Sequence, residues 1–178
     1  MTQTSQHSIE MIPEFEPRSC RHLVDGRTYV LHCHHYATLY TQLAEDCGML
    51  DGKKLLAEVA EDTFYDVLEA YFRKHCLESV ADRFAAAEQY YRTAGMGVLK
   101  VDSAGPDYGE VEVPSSHLDA GWIKKWGPSG KPVNHLTRGF IAALFAAAFD
   151  RPRRSYTVTE TASIAAGAQA SRFVVVAE

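Results

Sequence analysis

The sequence predicts an α+β fold: N-terminal helices packed with a four-stranded antiparallel sheet, in the order αααββααββ. Three observations predict it. Apolar residues recur at three- and four-residue steps from Cys33 to Tyr91, and the period falls to two at Val98 and again beyond residue 155. The two periodicities come in blocks, which excludes the strand–helix alternation of a parallel sheet. At 178 residues, 46% of them hydrophobic and 23% charged, the chain suits one core. A domain of this size buries roughly 70% of its unfolded surface and folds without disulfides or a structural metal.

The elements follow in order. Residues 1–20 mix Thr, Gln, Ser, Pro and Glu without periodicity and are expected to form an N-terminal arm or strand, with residues 21–178 as a single domain. The first helix is expected from about Tyr29. Cys33, Tyr36, Ala37, Tyr40, Leu43, Ala44 and Cys47 share one face, and Gly48 stops it. Beyond Asp51-Gly52, Leu56, Val59, Ala60, Phe64, Val67, Leu68 and Tyr71 keep the period for about twenty residues. Ser79 is placed to cap a third helix that turns Phe84, Ala87 and Tyr91 inward and ends at Gly95.

Residues 98–101 and 110–113 then alternate around a Gly- and Pro-containing loop, a hairpin pattern. Helix is expected to return after Pro114, with Ser116 and Asp119 spaced as a capping box and Trp122 and Trp126 at i, i+4. Asn134 caps the very apolar segment 136–149, which must be largely buried and which Asp150-Arg151-Pro152 closes. Two last strands, residues 155–164 and 171–176, complete the sheet.

Composition narrows the function. Eighteen Lys and Arg against twenty-three Asp and Glu give a net charge of −5, which opposes binding to a phosphate backbone, so no nucleic-acid partner is expected. The longest apolar run, residues 140–149, is about half of the roughly 20 residues a membrane span needs. Residues 1–16 lack the basic and apolar stretches of an export signal, and a cytoplasmic location is expected. Cys20, Cys33, Cys47 and Cys76 form no C-x-x-C pair and read as reduced, buried thiols.

Residues able to carry chemistry are few. In the strand 155–164, Glu160 is in phase with Tyr156, Val158 and Ala162, on the apolar side, whereas Glu110 and Glu112 alternate against Val111 and Val113. A core-facing carboxylate costs several kcal/mol unless it is paired, hydrogen-bonded, protonated or metal-bound. Pairing with Arg138, Arg153 or Arg154 is one resolution. His32-Cys33-His34-His35 concentrates metal ligands, and on a helix His32 and His35 lie about 60° apart. The two supply half a site; His135 and Glu160 are candidates for the rest, a nitrogen and oxygen set suited to a transition metal. Partly buried histidines at a helix boundary or dimer interface are the alternative. Trp122, Trp126, His135, Phe140 and Glu160 are candidates to line an apolar, aromatic pocket. No nucleophile elbow, H-E-x-x-H or phosphate loop is present.

The closing segment Glu160-Thr161-Ala162-Ser163, with Gly167, Ser171 and Phe173 after it, resembles the end of the 4-vinyl reductase-type, hydrocarbon-binding domain family. There E-x-x-C, a Gly and a second Cys precede an aromatic strand. Pro132-Val133-Asn134-His135, Gly139 and the apolar helix are similar to the family's preceding segment, so the resemblance spans about residues 95–176. It implies an α+β fold related to trafficking-complex subunits, a homodimer and a small hydrophobic ligand. In metal-binding members an earlier Cys, the Glu and the two later Cys hold zinc. Here Ser163 and Ser171 replace the two thiolates, with Asn134 or His135 near the first position, and serine hydroxyls are poor zinc ligands. Two functions follow as expectations: a small-molecule-binding homodimer, or an enzyme using the same pocket with His32, His35, His135 and Glu160 as metal ligands or acid–base groups.

Overall fold

The structure is a computed structural model that describes residues 11–30 and 33–178, the side chains of 34, 35 and 37 excepted. The chain divides into two compact units, Met1–Leu31 and His32–Glu178. The first carries a three-stranded antiparallel meander, β1 (Pro13–Glu16), β2 (Arg21–Val24) and β3 (Arg27–Tyr29). Asp25-Gly26 joins β2 to β3, both residues at positive φ of 52° and 77°, which is the two-residue turn that matches strand twist. The Glu16 carboxylate accepts the backbone N–H groups of Arg18 and Ser19 and fixes the turn between β1 and β2. The expected order lacked these strands, and Tyr29 ends β3 instead of opening a helix.

The second unit holds α1 (His34–Asp46), α2 (Gly52–Lys74), α3 (Val80–Thr93), β4 (Gly97–Ala104), β5 (Tyr108–Ser116), α4 (His117–Trp126), α5 (His135–Ala148), β6 (Tyr156–Ala162) and β7 (Ser171–Ala177). Its strands form one antiparallel sheet in the order β4-β5-β7-β6. The architecture is therefore α+β, with the order βββαααββααββ in place of the one expected. Asp51, Ser79, Ser116 and Asn134 each cap the helix they precede with a side-chain oxygen on a free N–H. Strand β5 runs through Pro114 to Ser116, so the helix starts later than Pro114 implied.

Helix α5 is the centre of the unit and is buried along almost its whole length. It lies so close to α2 that a Cβ at Gly139 would come within 2.2 Å of the Ala57 carbonyl oxygen. On its sheet side Phe145 covers Gly109, where a Cβ would meet the ring at 2.4 Å. Between α2, α3 and α5 an aromatic layer forms: Phe140 meets Phe64 edge-on at 5.0 Å, lies 5.0 Å from Tyr91 and stacks with Tyr90 at 6.3 Å. The Arg83 guanidinium donates to the Ala147 and Ala148 carbonyls and satisfies the C-terminal end of α5.

Helix α1 departs from its amphipathic reading. Among its described side chains Thr38, Thr41 and Ala44 are buried, while Tyr36, Leu39, Tyr40 and Leu43 are exposed, so most of the apolar stripe faces away from the core of its unit. Between α1 and α2 lies a shallow apolar groove of about 260 Å³ walled by Tyr40, Leu43, Cys47, Leu55, Leu56 and Val59. The thiols also differ from expectation: Cys20, Cys33 and Cys76 are exposed and Cys47 is half-buried. No helix among the described residues is long and apolar enough to cross a membrane.

Candidate functional site

A buried polar cluster sits where the start of α4, the N-cap of α5, the loop after β6 and the start of β7 converge. Strand alternation places Glu160 there, since β6 buries Tyr156, Val158 and Glu160 and exposes Thr157, Thr159 and Thr161. Its Oε2 accepts the Asn134 backbone N–H at 3.2 Å, and its Oε1 is buried with no hydrogen-bond donor among the described residues. Burial pushes the Glu160 carboxyl up to about 7, and the charge of Asp119 adds to this; the nearby hydroxyls of Ser163 and Ser171 and the Asn134 N–H offset it only in part. Glu160 is thus poised to hold a proton near neutral pH.

None of the three arginines weighed as its partner takes that role. Arg138 donates to the Val158 carbonyl oxygen and approaches His135, Arg153 pairs with Asp62 and Asp66, and Arg154 pairs with Glu58, Glu61 and Asp62.

Asp119 is the residue that sequence reading missed. It is wholly buried, and its carboxylate accepts from Asn134 Nδ2 at 2.8 Å, the Ala165 N–H at 3.1 Å, Ser163 Oγ at 3.3 Å and Ser171 Oγ at 3.5 Å. Its spacing from Ser116 reads as a capping box, and half of the box exists: Ser116 Oγ accepts the Asp119 N–H at 3.1 Å. The acid, however, turns into the protein. The available signal was its phase, because Asp119, Trp122, Ile123 and Trp126 follow the i, i+3, i+4, i+7 spacing of one helix face, although that face is fully buried only at Asp119.

His135 lies beside this cluster but faces elsewhere. Its Nε2 meets Glu45 Oε1 on α1 at 2.8 Å, while Lys131 and Lys53 approach Glu45 Oε2 at 2.5 and 3.4 Å. Burial holds the His135 imidazole below its usual range, and the hydrogen bond to Glu45 recovers only part of the shift. Burial would raise Glu45, yet hydrogen bonds from Lys131 and His135 and the lysine charges carry it below the usual carboxylate range. Glu45 was also missed, for it falls on the polar side of α1 with no motif around it.

The remaining predicted residues separate. Phe140 is fully buried in the aromatic layer, whereas Trp122 and Trp126 lie against each other on α4, ring centroids 4.6 Å apart and tilted by 47°, with Trp126 exposed and Lys125 over its ring. A half-open cleft of about 570 Å³ lies between α2, α5 and β6, walled by Lys54, Glu58, Arg138, Tyr156 and Val158. Neither this cleft nor the α1–α2 groove is lined by Trp122, Trp126, His135, Phe140 or Glu160. His32 and the side chain of His35 lie outside the described residues.

Zinc does not fit the cluster. Among the described residues no group of three His, Cys, Asp or Glu side chains is placed to hold an ion. The groups at the family's metal position are oxygens and an amide, and they lie within hydrogen-bond distance of Asp119. Of the two residues weighed for the first thiolate, Asn134 enters the cluster and His135 does not.

No protein-family model matches the sequence, and no curated protein matches it. Solved structures match it in fold. The phenol-responsive sensory domain of the transcription activator PoxR, in a structure with phenol, superimposes with a TM-score of 0.78 at 12% identity, covering 93% of this chain and 84% of that one. A vinyl-4-reductase family protein from Methanocaldococcus jannaschii matches with a TM-score of 0.51 at 13% identity, over 80% of this chain and 77% of that one. Subunit 3 of a trafficking protein particle complex from Naegleria fowleri, covalently bound to palmitic acid, gives 0.54 at 14% identity, over 80% and 90%. The chain has the fold of these proteins, as the resemblance of its closing segment implies.

Proposed function

We propose that the chain is a small-molecule-binding protein, a cytoplasmic homodimer that takes a small hydrophobic or aromatic ligand and no nucleic acid. The observation that carries this is the likeness in fold, over nearly the whole chain, to a sensory domain whose structure contains phenol. Physical support comes from the layer of Phe64, Phe140, Tyr90 and Tyr91 between α2, α3 and α5, an aromatic surface of the kind that suits a flat apolar ligand. A second copy of this chain accounts for the exposed stripe of α1, since Tyr36 and Leu39 are exposed on the same helix as Tyr40 and Leu43, which wall the apolar groove together with exposed Leu55 and Val59.

Calorimetric titration with phenol, alkylphenols and alkylbenzenes tests the ligand class; saturable binding at one site per chain is expected. No saturable heat from any of them, with native mass spectrometry showing the bare chain, would overturn the reading. Light scattering tests the dimer: the wild type is expected at twice the chain mass and L43D/L55D at the chain mass.

A second reading, an acid–base enzyme working on the same class of ligand, is favoured by one observation: Glu160 holds its proton near neutral pH and keeps Oε1 without a donor. In that case Glu160→Gln abolishes turnover and leaves ligand affinity within about threefold; binding without turnover on any bound ligand decides for the first reading.

A further inference from the structure

The chain segments that the family ties together with zinc meet in this protein around a side chain. Helix α4 supplies Asp119, its N-cap at the end of β5 supplies Ser116, the N-cap of α5 supplies Asn134, the loop after β6 supplies Ser163 and the Ala165 N–H, and β7 supplies Ser171. Five of these groups reach Asp119: four donate to its carboxylate, and Ser116 accepts its backbone N–H. The cluster closes on itself as well, because Asn134 Nδ2 donates to Ser116 Oγ at 3.1 Å and the Ile164 N–H donates to Ser171 Oγ at 3.0 Å.

Each donor has an acceptor, and the two serines that stand where thiolates would bind zinc are turned into hydrogen-bond donors toward a carboxylate. A divalent ion placed among them would have to displace these donors from Asp119 and would find hydroxyls where it requires anions.

We propose that the Asp119 carboxylate takes the place of the metal, as a permanent non-metal tie that joins α4, the start of α5 and the β6–β7 connection in one rigid corner. The comparison that supports this is internal. Glu160, at the position of the family's acidic ligand, accepts one backbone N–H, from Asn134, and has the Ser163 and Ser171 hydroxyls nearby, whereas Asp119, which has no counterpart in the E-x-x-C pattern, lies within 3.5 Å of four donors, those two hydroxyls among them. The centre of the hydrogen bonding has moved from the glutamate to the aspartate. The tie needs no cofactor to form, so this corner is complete as soon as the chain folds.

Three measurements on the full chain, made without a histidine tag and grown with zinc supplied, decide the matter. Elemental analysis is expected to find less than about one metal ion per ten chains, and a chelator to leave Tm unchanged. Asp119→Asn, which keeps the volume but aims an amide N–H₂ at donor groups, is expected to lower the folding equilibrium constant at least about tenfold, against less than about threefold for Glu160→Gln at pH 6. Where Asp119→Asn fails to fold, Ser163→Ala and Ser171→Ala, each removing one donor, are expected to cost about two- to tenfold each. The double variant S163C/S171C is expected to acquire one zinc ion per chain, because it restores both thiolates beside Glu160. Stoichiometric metal in the wild-type protein, an Asp119→Asn variant as stable as wild type, or a double cysteine variant that stays free of zinc would each overturn the proposal.

Discussion

Asn134 and His135 are neighbours in sequence, yet they serve two carboxylate sites that neutralise charge by opposite means. On the Asn134 side, Asp119 and Glu160 are surrounded by amides and hydroxyls, with no cation among their hydrogen-bond partners in the described residues. On the His135 side, Glu45 is held by an imidazole and two lysines whose ammonium ends reach water. Buried dipoles, one from the backbone and three from packed side chains around Asp119, stabilise charge without mobile ions, and they fail all at once when the acceptor is removed. Lysines on flexible stems stabilise it weakly and can be replaced by water or salt. The first site should therefore govern stability and the second should tune it.

The largest contrast expected is in truncation. Asp119→Ala strands four donors in a dry interior and should cost about 3 kcal/mol or more, measured by urea unfolding. Glu45→Ala frees exposed lysines and leaves one buried imidazole a partner short, so about 1 kcal/mol is expected. Similar costs for the two would remove the distinction between them.

The pH dependence separates them further, and the signs oppose. Glu160 has its proton held up to about 7 in the fold, so its contribution is complete below the ordinary carboxylate value of about 4.5 and is lost as pH rises through 7. Across that interval the loss is about 3 kcal/mol, from 1.36 kcal/mol per unit. His135 is held neutral by burial, so its contribution is present above its ordinary value of 6.5 and is lost as pH falls below it. In the wild type the two slopes partly cancel between pH 5 and 7. Glu160→Gln removes the first and should leave stability rising with pH over that range; a profile still falling with pH would show that another group holds the proton.

Much of this contrast was legible in the sequence, and its limits have physical causes. Glu160 was found because a strand has a period of two, which sorts inward from outward residues without any knowledge of neighbours. The helix caps Ser79, Ser116 and Asn134 were found because capping is local. Asp119 was lost because a local explanation, the capping box, was sufficient, whereas its partners Asn134, Ser163, Ala165 and Ser171 lie 15 to 52 positions away. The β2–β3 hairpin is a different failure: Asp25-Gly26 between Val24 and Arg27 is a strong turn signal, but it falls between the arm expected to end at residue 20 and the helix expected from Tyr29, where no element was assigned. On α1 the period was right and its direction was not. Tyr36, Tyr40 and Leu43 do share a face, but periodicity cannot distinguish a face that meets its own core from one that is left exposed.

The smallest expected effect is the one that tests the mechanism of compensation itself. Raising salt from 0.05 to 0.5 M shortens the screening length from roughly 14 to 4 Å and weakens the attraction between Glu45 and the exposed ends of Lys131 and Lys53. It does little to hydrogen bonds between buried neighbours, because ions do not enter the Asp119 cluster. With Lys131→Met as the reference, which removes the closer lysine and keeps its apolar stem, the part of the salt effect that vanishes should be about 0.5 kcal/mol. Ser163→Ala should show the same salt dependence as the wild type while being less stable at every concentration. If instead Ser163→Ala changes the salt slope and Lys131→Met does not, the charge at the Asn134 side is balanced by solvent ions after all, and the two sites differ in depth without differing in kind.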